Sequence, residues 1–317
     1  NTYYNGNTGI QISRYQSYDE KEQWPANNLV LNCTSYGNAD KGYEDADGFA
    51  AKLTIGEGNI FDGCIAYNNA DDGWDLFAKV ETGPIGKVVI RNSVAFRNGY
   101  LPDGTNAGNG NGFKMGGESI TGRHELINSV AFDNKAKGID SNSGPDIQVY
   151  HSTSFNNEKN NVAFYTNNAK NTDFLADGVL SFKTLYMNEN ENLKLLGSQE
   201  ESKVRGENNY YWEDGKSSNT KNVEVSSDWF VNLDTKIEIT RNADGTINMN
   251  GLLELAEKAP KDTGARMAGT PSNNIAIGPE VSESETLQPT DTPAPTVTPT
   301  PTATPTPTKA LTKEEIF

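Results

Sequence analysis

The segment NSVAFRN at residues 92–98 recurs as NSVAFDN at residues 128–134, with a single substitution between the two copies. Three more segments, NCTSYGN (32–38), GCIAYNN (63–69) and HSTSFNN (151–157), share its pattern of a small residue, a variable one, Ser or Ala, an aromatic, one more residue and Asn. A degenerate copy, VLSFKT, follows at residues 179–184. The repeated aromatics are Tyr36, Tyr67, Phe96, Phe132, Phe155 and Phe182, and the repeated asparagines are Asn38, Asn69, Asn98, Asn134 and Asn157. Such internal repetition predicts a fold built from stacked copies of one unit.

The spacing of the repeat favours a parallel β-helix. Successive aromatics are 23 to 36 residues apart, which is too irregular for a leucine-rich or hexapeptide solenoid but suits coils with loops of variable length. We therefore expect an all-β, right-handed parallel β-helix that buries the aromatics in a row and pairs the asparagines at one turn. The alternatives are a β-propeller or a sandwich, but both need hairpin turns at shorter spacing, and such turns are not evident.

A second repeated element alternates with the first along the chain: NTGIQIS, DADGFAAK, DDGWDLF, GNGFKMG, AKGIDSN and KNNVAFY. Aligning these segments on the hydrophobic residue after Gly or Asn gives a row of anchors, predicted to stack inside the helix. The anchors are Ile10, Phe49, Trp74, Phe113, Ile139 and Val162. The same alignment puts Asp47, Asp72 and Asn111 two residues before the anchor, and Ala50, Asp75, Lys114, Asp140 and Ala163 directly after it.

This alignment gathers acidic residues from two neighbouring coils. Parallel strands lie about 4.8 Å apart, so Asp47, Asp71, Asp72 and Asp75 are expected to form one oxygen-rich pocket. Carboxylate oxygens without nearby His or Cys favour Ca²⁺ over zinc or copper, and the spacing does not fit an EF-hand. The alternative is a solvated acidic face without a metal.

Lys114 is the candidate for acid–base chemistry. It lies one coil beyond Asp75 at the same strand position, about one interstrand spacing from the pocket. A nearby divalent cation and partial burial both disfavour a charged lysine, so we expect the pKa of Lys114 to fall towards that of a usable base. The alternative is an ordinary ladder of ion pairs with Asp75 or Asp140.

Composition narrows the class of protein further. The 317 residues, of which 34% are hydrophobic, suffice for a substantial core, and 30 glycines favour many turns. A net charge of −16 argues against nucleic acid as a partner, because such binding needs clustered Lys and Arg. The chain has no transmembrane run and no signal peptide, so no membrane partner is expected, and it begins at Asn1 without Met.

The C-terminal sequence predicts a change in organisation. We expect a β-helix domain over residues 1–280, a Pro/Thr-rich linker over 281–308, and the start of a following module or tail over 309–317. Such a linker is typical of secreted multi-module proteins, so we expect an extracellular monomer tethered to further modules. Cys33 and Cys64 occupy the same repeat position in adjacent coils, and either a disulfide or two stacked free thiols would fit.

The segments DADGFAAK, NADDGWDLF and NGNGFKMGG, in this order, resemble the core of the family 9 polysaccharide lyases, the pectate lyases with a right-handed parallel β-helix. The resemblance covers residues 1–181, with an echo in LLELAEKAPKDTGA. It implies Ca²⁺ held by Asp47, Asp71, Asp72 and Asp75, with Lys114 as the base. Family members have an N-terminal cap and further coils ahead of the segment matching NTGIQIS, so we expect a module that lacks its first portion.

The resemblance implies β-elimination on polygalacturonate, an acidic plant polysaccharide. Calcium would lie between the acidic protein and this polyanion. Lys52, Asn111, Arg123 and Lys137 are candidate substrate contacts. The alternatives are a rhamnogalacturonan lyase of the same fold, a metal-free β-helix glycoside hydrolase and a calcium-dependent carbohydrate-binding module.

Overall fold

Three parallel sheets form the body of the protein. A computed structural model describes residues 1–182 and 190–267. Sheet 1 contains the strands Thr2–Tyr3, Thr34–Tyr36, Ile65–Tyr67, Val94–Phe96, Val130–Phe132, Thr153–Phe155 and Leu180–Phe182. Sheet 2 contains Ile10–Ile12, Phe49–Ala51, Trp74–Asp75, Phe113–Lys114, Ile139–Asp140, Val162–Phe164 and Asn192–Leu193. Sheet 3 contains Leu29–Leu31, Asn59–Asp62, Val88–Arg91, Glu125–Ile127, Gln148–Tyr150 and Leu175–Asp177.

Each coil passes through the sheets in the order 3, 1, 2, and every strand pairs with its counterpart in the next coil. The turn from sheet 3 to sheet 1 is short because one residue adopts a left-handed backbone, a conformation that Asn and Gly tolerate best. The residues at this position are Asn32, Gly63, Asn92, Asn128, His151 and Gly178, with φ between 42° and 71°. The parallel β-helix predicted from the repeat is therefore confirmed.

The row of anchors predicted from the second repeat is also confirmed. Phe49 pairs with Trp74, Trp74 with Phe113, and Phe113 with Ile139, and all four side chains are fully buried. The ring of Trp74 lies 4.8 Å from that of Phe49 and 4.9 Å from that of Phe113, centroid to centroid. This stacking fixes the register of sheet 2, because a slip by one residue would turn the anchors outward.

The predicted asparagine ladder runs along the turn between sheets 1 and 2. The amide nitrogen of Asn38 donates to Oδ1 of Asn69 at 2.8 Å, and the chain of bonds continues through Asn98 and Asn134 to Asn157. The ladder presses against a column of glycines that precede the anchors. A Cβ on Gly73 would lie 2.5 Å from the carbonyl oxygen of Gly112 and 2.8 Å from Nδ2 of Asn98, so no side chain fits there.

The repeated aromatics of sheet 1 do not point into the interior of the coils. They lie on the outer face of this sheet, where C-terminal residues bury them. Ala66, Ala95 and Ala131 of sheet 1 face the interior core, whereas Phe96 and Phe132 face outward. In this outer row, neighbouring rings from Tyr36 to Phe132 stack at 4.9 Å, centroid to centroid. The C-terminal residues Trp229, Phe230, Ile247, Met249 and Leu252 pack against the outer face.

We call the described residues 211–267 the C-terminal cover. They include the antiparallel hairpins Tyr211–Glu213 with Lys216–Ser218 and Thr240–Arg241 with Ile247–Asn248. Short 3₁₀ helices occur at Lys21–Gln23, Glu201–Lys203 and Ser227–Trp229. Arg241 attaches the cover to the helix by donating to the carbonyl oxygens of Cys33 at 2.8 Å and Gly63 at 2.9 Å. The described residues belong to one compact unit, and the predicted linker and tail, 281–308 and 309–317, lie outside them.

The structure also bears on the two cysteines and on membrane-spanning helices. Cys33 and Cys64 are both free thiols, so the disulfide alternative is not the one observed. Burial raises the pKa of Cys64 to about 12. Among the described residues, none of the helices is long and apolar enough to cross a membrane.

Candidate functional site

An acidic cluster lies where sheet 2 begins, at the ends of two neighbouring coils. One carboxylate oxygen each from Asp47, Asp71 and Asp72 lies within 4.8 Å of the others, and the side chains are 0 to 1% exposed. The glycines that follow Asp47 and Asp72 let the two coils approach closely, which brings these carboxylates together. Three of the four predicted ligands thus converge, Asp47 from one coil and the consecutive residues Asp71 and Asp72 from the next.

Asp75, the fourth predicted ligand, connects to the cluster through lysines. Its Oδ2 lies 2.8 Å from Nζ of Lys52, and its Oδ1 lies 3.4 Å from Nζ of Lys114. Lys52 also contacts Asp47 at 2.9 Å, and Lys114 contacts Oδ2 of Asp72 at 3.0 Å. Lysines and aspartates therefore alternate along the sheet.

Lys114 lies at the position that the alignment predicts. It pairs in register with Asp75 on one side and Asp140 on the other. Its side chain is 15% exposed, and its ammonium lies 5.6 Å from the ring centroid of Phe77. The lysine is thus held between carboxylates and an aromatic face, with one part of it open to solvent.

The electrostatics of the cluster reflect an excess of negative charge. Burial, with added repulsion from Asp72, raises the pKa of Asp71 to about 8, and burial together with Asp75 raises the pKa of Asp47 well above its ordinary value. Burial alone would lower the pKa of Lys114, but Asp72 and Asp75 outweigh it and the pKa is raised. The lower pKa predicted for this lysine presupposes a cation beside it, and the carboxylates by themselves act in the opposite sense.

The donor set fits a hard divalent cation. Oδ2 of Asp72 and Oδ1 of Asp75 are buried and have no hydrogen-bond partner within the described ranges, although Lys114 lies near both. Four carboxylates face two ammonium groups, so the fully ionised cluster has a formal charge of −2. Carboxylate oxygens are among the ligands that Ca²⁺ takes in proteins.

Two of the residues predicted as substrate contacts, Lys52 and Asn111, lie against the aspartates. The amide nitrogen of Asn111 donates to Oδ1 of Asp72 at 2.8 Å, and its backbone nitrogen donates to the same oxygen at 2.7 Å. Asn111 therefore fixes the orientation of the Asp72 carboxylate. Lys52 is only 9% exposed.

The other two predicted contacts lie farther along the protein. Lys137 is one coil beyond Asn111, where its Nζ contacts Asp140 at 2.9 Å and lies 5.0 Å from the ring centroid of Tyr165. Arg123 precedes a strand of sheet 3, with its side chain 67% exposed and 3.9 Å from Asp146. The structure thus brings Lys137, but not Arg123, to the face of sheet 2.

Phe77 and Tyr165, the aromatic residues next to Lys114 and Lys137, were not among the predicted site residues. Each lies three residues after an anchor, Trp74 or Val162, as Lys52 lies three residues after Phe49. Extending the alignment by two positions would have identified this row. Asn109 was not predicted either; its backbone nitrogen donates to Oδ1 of Asp71 at 3.0 Å.

Comparisons with known proteins agree with this architecture. The chain matches the family model described as "Pel9A-like, right handed beta helix region" over residues 1–173. It is 44% identical over 281 residues to pectate lyase L of Paenibacillus polymyxa (strain SC2), covering 86% of this chain and 57% of that protein. Pectate lyase L of Dickeya chrysanthemi is 37% identical over 281 residues, covering 86% of this chain and 56% of that protein.

Among solved structures, the chain is similar to the crystal structure of pectate lyase Pel9A, with a TM-score of 0.61 and 32% identity, covering 88% of this chain and 61% of that one. A rhamnogalacturonan lyase structure, at 24% identity and a TM-score of 0.55, shares the fold and covers 80% of this chain and 61% of that one. The chain spans a little over half the length of the two pectate lyase L relatives.

Proposed function

The chain belongs to the Pel9A-like right-handed β-helix family, and from this premise we propose that it is a calcium-dependent pectate lyase that cleaves polygalacturonate by β-elimination. The family and the right-handed fold agree with the resemblance found in the sequence motifs. The names of its relatives support pectate as the substrate.

One observation carries the proposal: a lysine and a cluster of buried carboxylates meet on the open face of one sheet. Lys114 lies in register with Asp75, and its Nζ is 3.0 Å from Asp72, whose carboxylate belongs to the convergent trio. A plain ladder of surface ion pairs would not need four aspartates at 0 to 3% exposure.

Asp47, Asp71, Asp72 and Asp75 would hold the calcium ion. When bound, Ca²⁺ supplies positive charge that neutralises a galacturonate carboxylate and makes the adjacent C5 proton more acidic. Asn111 keeps one oxygen of Asp72 occupied, which leaves the other carboxylate oxygen directed towards Lys114.

Lys114 acts as the general base in this proposal. In its neutral form it accepts the proton from C5 of the sugar, the C4 glycosidic oxygen departs with its bonding electrons, and a C4–C5 double bond forms. Asp72 and Asp75 orient the lysine, and Phe77 supports it from below. The balance of charge around Lys114 determines how readily it loses its own proton before the reaction.

Contacts to further sugars are proposed for Lys137 and Arg123, whose side chains are 21% and 67% exposed, and for Asn111 beside the cluster. Lys137 lies one coil from Asn111, with Tyr165 beside it, so it is suited to a neighbouring uronate of the same polymer. Because the substrate is a plant polymer, we propose that the protein acts outside the cell. The Pro/Thr-rich linker predicted at residues 281–308 supports a monomer that is tethered to other modules.

The test is incubation of the protein with polygalacturonate, with added calcium or with a chelator, while ultraviolet absorbance of the unsaturated product is followed. We expect absorbance to rise with calcium and to stop rising with chelator. New reducing ends without ultraviolet absorbance would indicate a hydrolase instead. Binding of the polymer without cleavage would indicate a carbohydrate-binding module.

A further inference from the structure

Lys52 is enclosed within the acidic cluster. Its ammonium lies 2.9 Å from Oδ2 of Asp47 and 2.8 Å from Oδ2 of Asp75, and both contacts are hydrogen bonds. The lysine side chain is 11% exposed, and its two partners are 0% and 4% exposed. Because two buried carboxylates already bind this ammonium, little of it remains accessible to a ligand from solvent.

The two partners of Lys52 come from different coils. Asp47 precedes the anchor Phe49, and Asp75 follows the anchor Trp74 of the next coil. Lys52 therefore links two of the four proposed calcium ligands across one interstrand step. Its positive charge is also close enough to repel any cation that those ligands bind.

We propose that Lys52 is a resident counterion of the cluster: it keeps Asp47 and Asp75 together when no cation is bound and thereby lowers the affinity of the site for Ca²⁺. This inference rests on the proposed function, since it concerns the same site. It assigns Lys52 a positioning role rather than a direct contact with substrate.

Lys52 would therefore stabilise the calcium-free protein and, for the same reason, weaken the binding of Ca²⁺. Without Lys52, the fully ionised cluster would change from a formal charge of −2 to −3, because one of its two ammonium groups is lost. Repulsion among buried carboxylates would then destabilise the calcium-free protein, while the attraction for a divalent cation would increase. By linkage, calcium would stabilise the variant more than it stabilises the original protein.

The test is Lys52→Met, which retains most of the unbranched aliphatic stem and removes the charge. We expect calcium affinity, measured by calorimetry, to increase on the order of tenfold or more. We also expect the difference in melting temperature between calcium and chelator to widen. Lys52→Arg, which retains the charge, should remain near the original affinity. Arg91→Met is the matched control, because it removes a cation from the buried carboxylate of Asp62 on sheet 3, at 2.9 Å.

Unchanged or weaker calcium affinity in Lys52→Met would overturn the inference, as would an equal gain in Arg91→Met, since the effect would then not be local. If Lys52→Met folds only with calcium, the proposal is supported; if saturating calcium does not restore folding, it is wrong. Absence of any calcium binding by the unaltered protein would instead contradict the proposed function.

Discussion

Replacing Asn98 with alanine removes one member of the asparagine ladder and should destabilise the whole helix. Asn98 is fully buried. It donates to Asn134 at 3.0 Å and to the carbonyl oxygen of Ala66 at 3.2 Å, and it accepts from Nδ2 and the backbone nitrogen of Asn69 at 3.0 and 3.3 Å. The alanine side chain can form none of these four hydrogen bonds.

The loss in the free energy of unfolding depends on which hydrogen-bonding groups are left without a partner in Asn98→Ala. Nδ2 of Asn69 still reaches the carbonyl oxygen of Ser35 at 3.3 Å, and Oδ1 of Asn134 still accepts from the backbone nitrogen of Asn98 at 3.1 Å. Two groups, the backbone nitrogen of Asn69 and the carbonyl oxygen of Ala66, lose the partner that Asn98 supplies, and leaving a buried polar group unsatisfied costs about 1–3 kcal/mol each. We expect Asn98→Ala to lower the free energy of unfolding by about 2–6 kcal/mol, a large part of the typical total.

Urea denaturation followed by circular dichroism measures this change, and an unchanged slope would confirm that the unfolding transition itself is the same. Asn208→Ala is the control, because Asn208 is exposed and makes a 3.3 Å bond to Asp177; it should cost less than about 0.5 kcal/mol. A loss below about 1 kcal/mol in Asn98→Ala would show that the ladder does not stabilise the coils as argued here.

Three further predictions concern the site and its support. Asp72→Asn should weaken calcium binding in calorimetry, because it removes a charged ligand, and an unaltered affinity would exclude Asp72 from the ligand set. Gly73→Ala should lower the free energy of unfolding by at least about 1–3 kcal/mol, since its Cβ would lie 2.5 Å from a backbone oxygen, whereas Gly6→Ala, with nothing within 4 Å, should be neutral. Burial raises the pKa of Glu191 from 4.5 to about 8, so the folded state retains a proton that the unfolded state releases, and stability should fall as pH rises from about 4.5 to about 8. Glu191→Gln should remove this part of the pH dependence in denaturation curves, and an identical pH slope would contradict the assignment.

The register of sheet 2 could be predicted because its repeat contains both a glycine and a large anchor. Glycine marks the close approach of neighbouring coils, and the anchor marks the interior, so a single alignment correctly paired Trp74 with Phe113 and Asp75 with Lys114. The convergence of Asp47, Asp71 and Asp72 followed from the same alignment.

The direction of the aromatics on sheet 1 could not be derived in the same way. Both faces of this sheet are buried, so alternation of residues does not identify which face is interior. Phe96 and Phe132 face outward because residues more than 90 positions later, among them Trp229 and Leu252, cover them. A contact of that sequence separation leaves no local pattern in either segment.

The environment of Lys52 was not predicted because it depends on side-chain direction. From the sequence, Lys52 is a candidate contact for substrate, and it lies three residues beyond the anchor Phe49. The structure turns its ammonium back to Asp47 and across to Asp75. Charge compensation inside a buried cluster outweighs exposure for a long, flexible side chain, and spacing alone does not reveal this.

Lys114 is the proposed base of a calcium-dependent elimination, and Lys114→Ala tests this role most directly. The variant leaves the four aspartates in place, so calcium binding in calorimetry should persist, while the rate of ultraviolet-absorbing product from polygalacturonate should fall by at least the ~10²–10⁴-fold typical of a general base. Lys159→Ala, at an exposed lysine, should keep the original rate. Full lyase activity in Lys114→Ala with calcium bound would contradict the account and direct attention to Lys137.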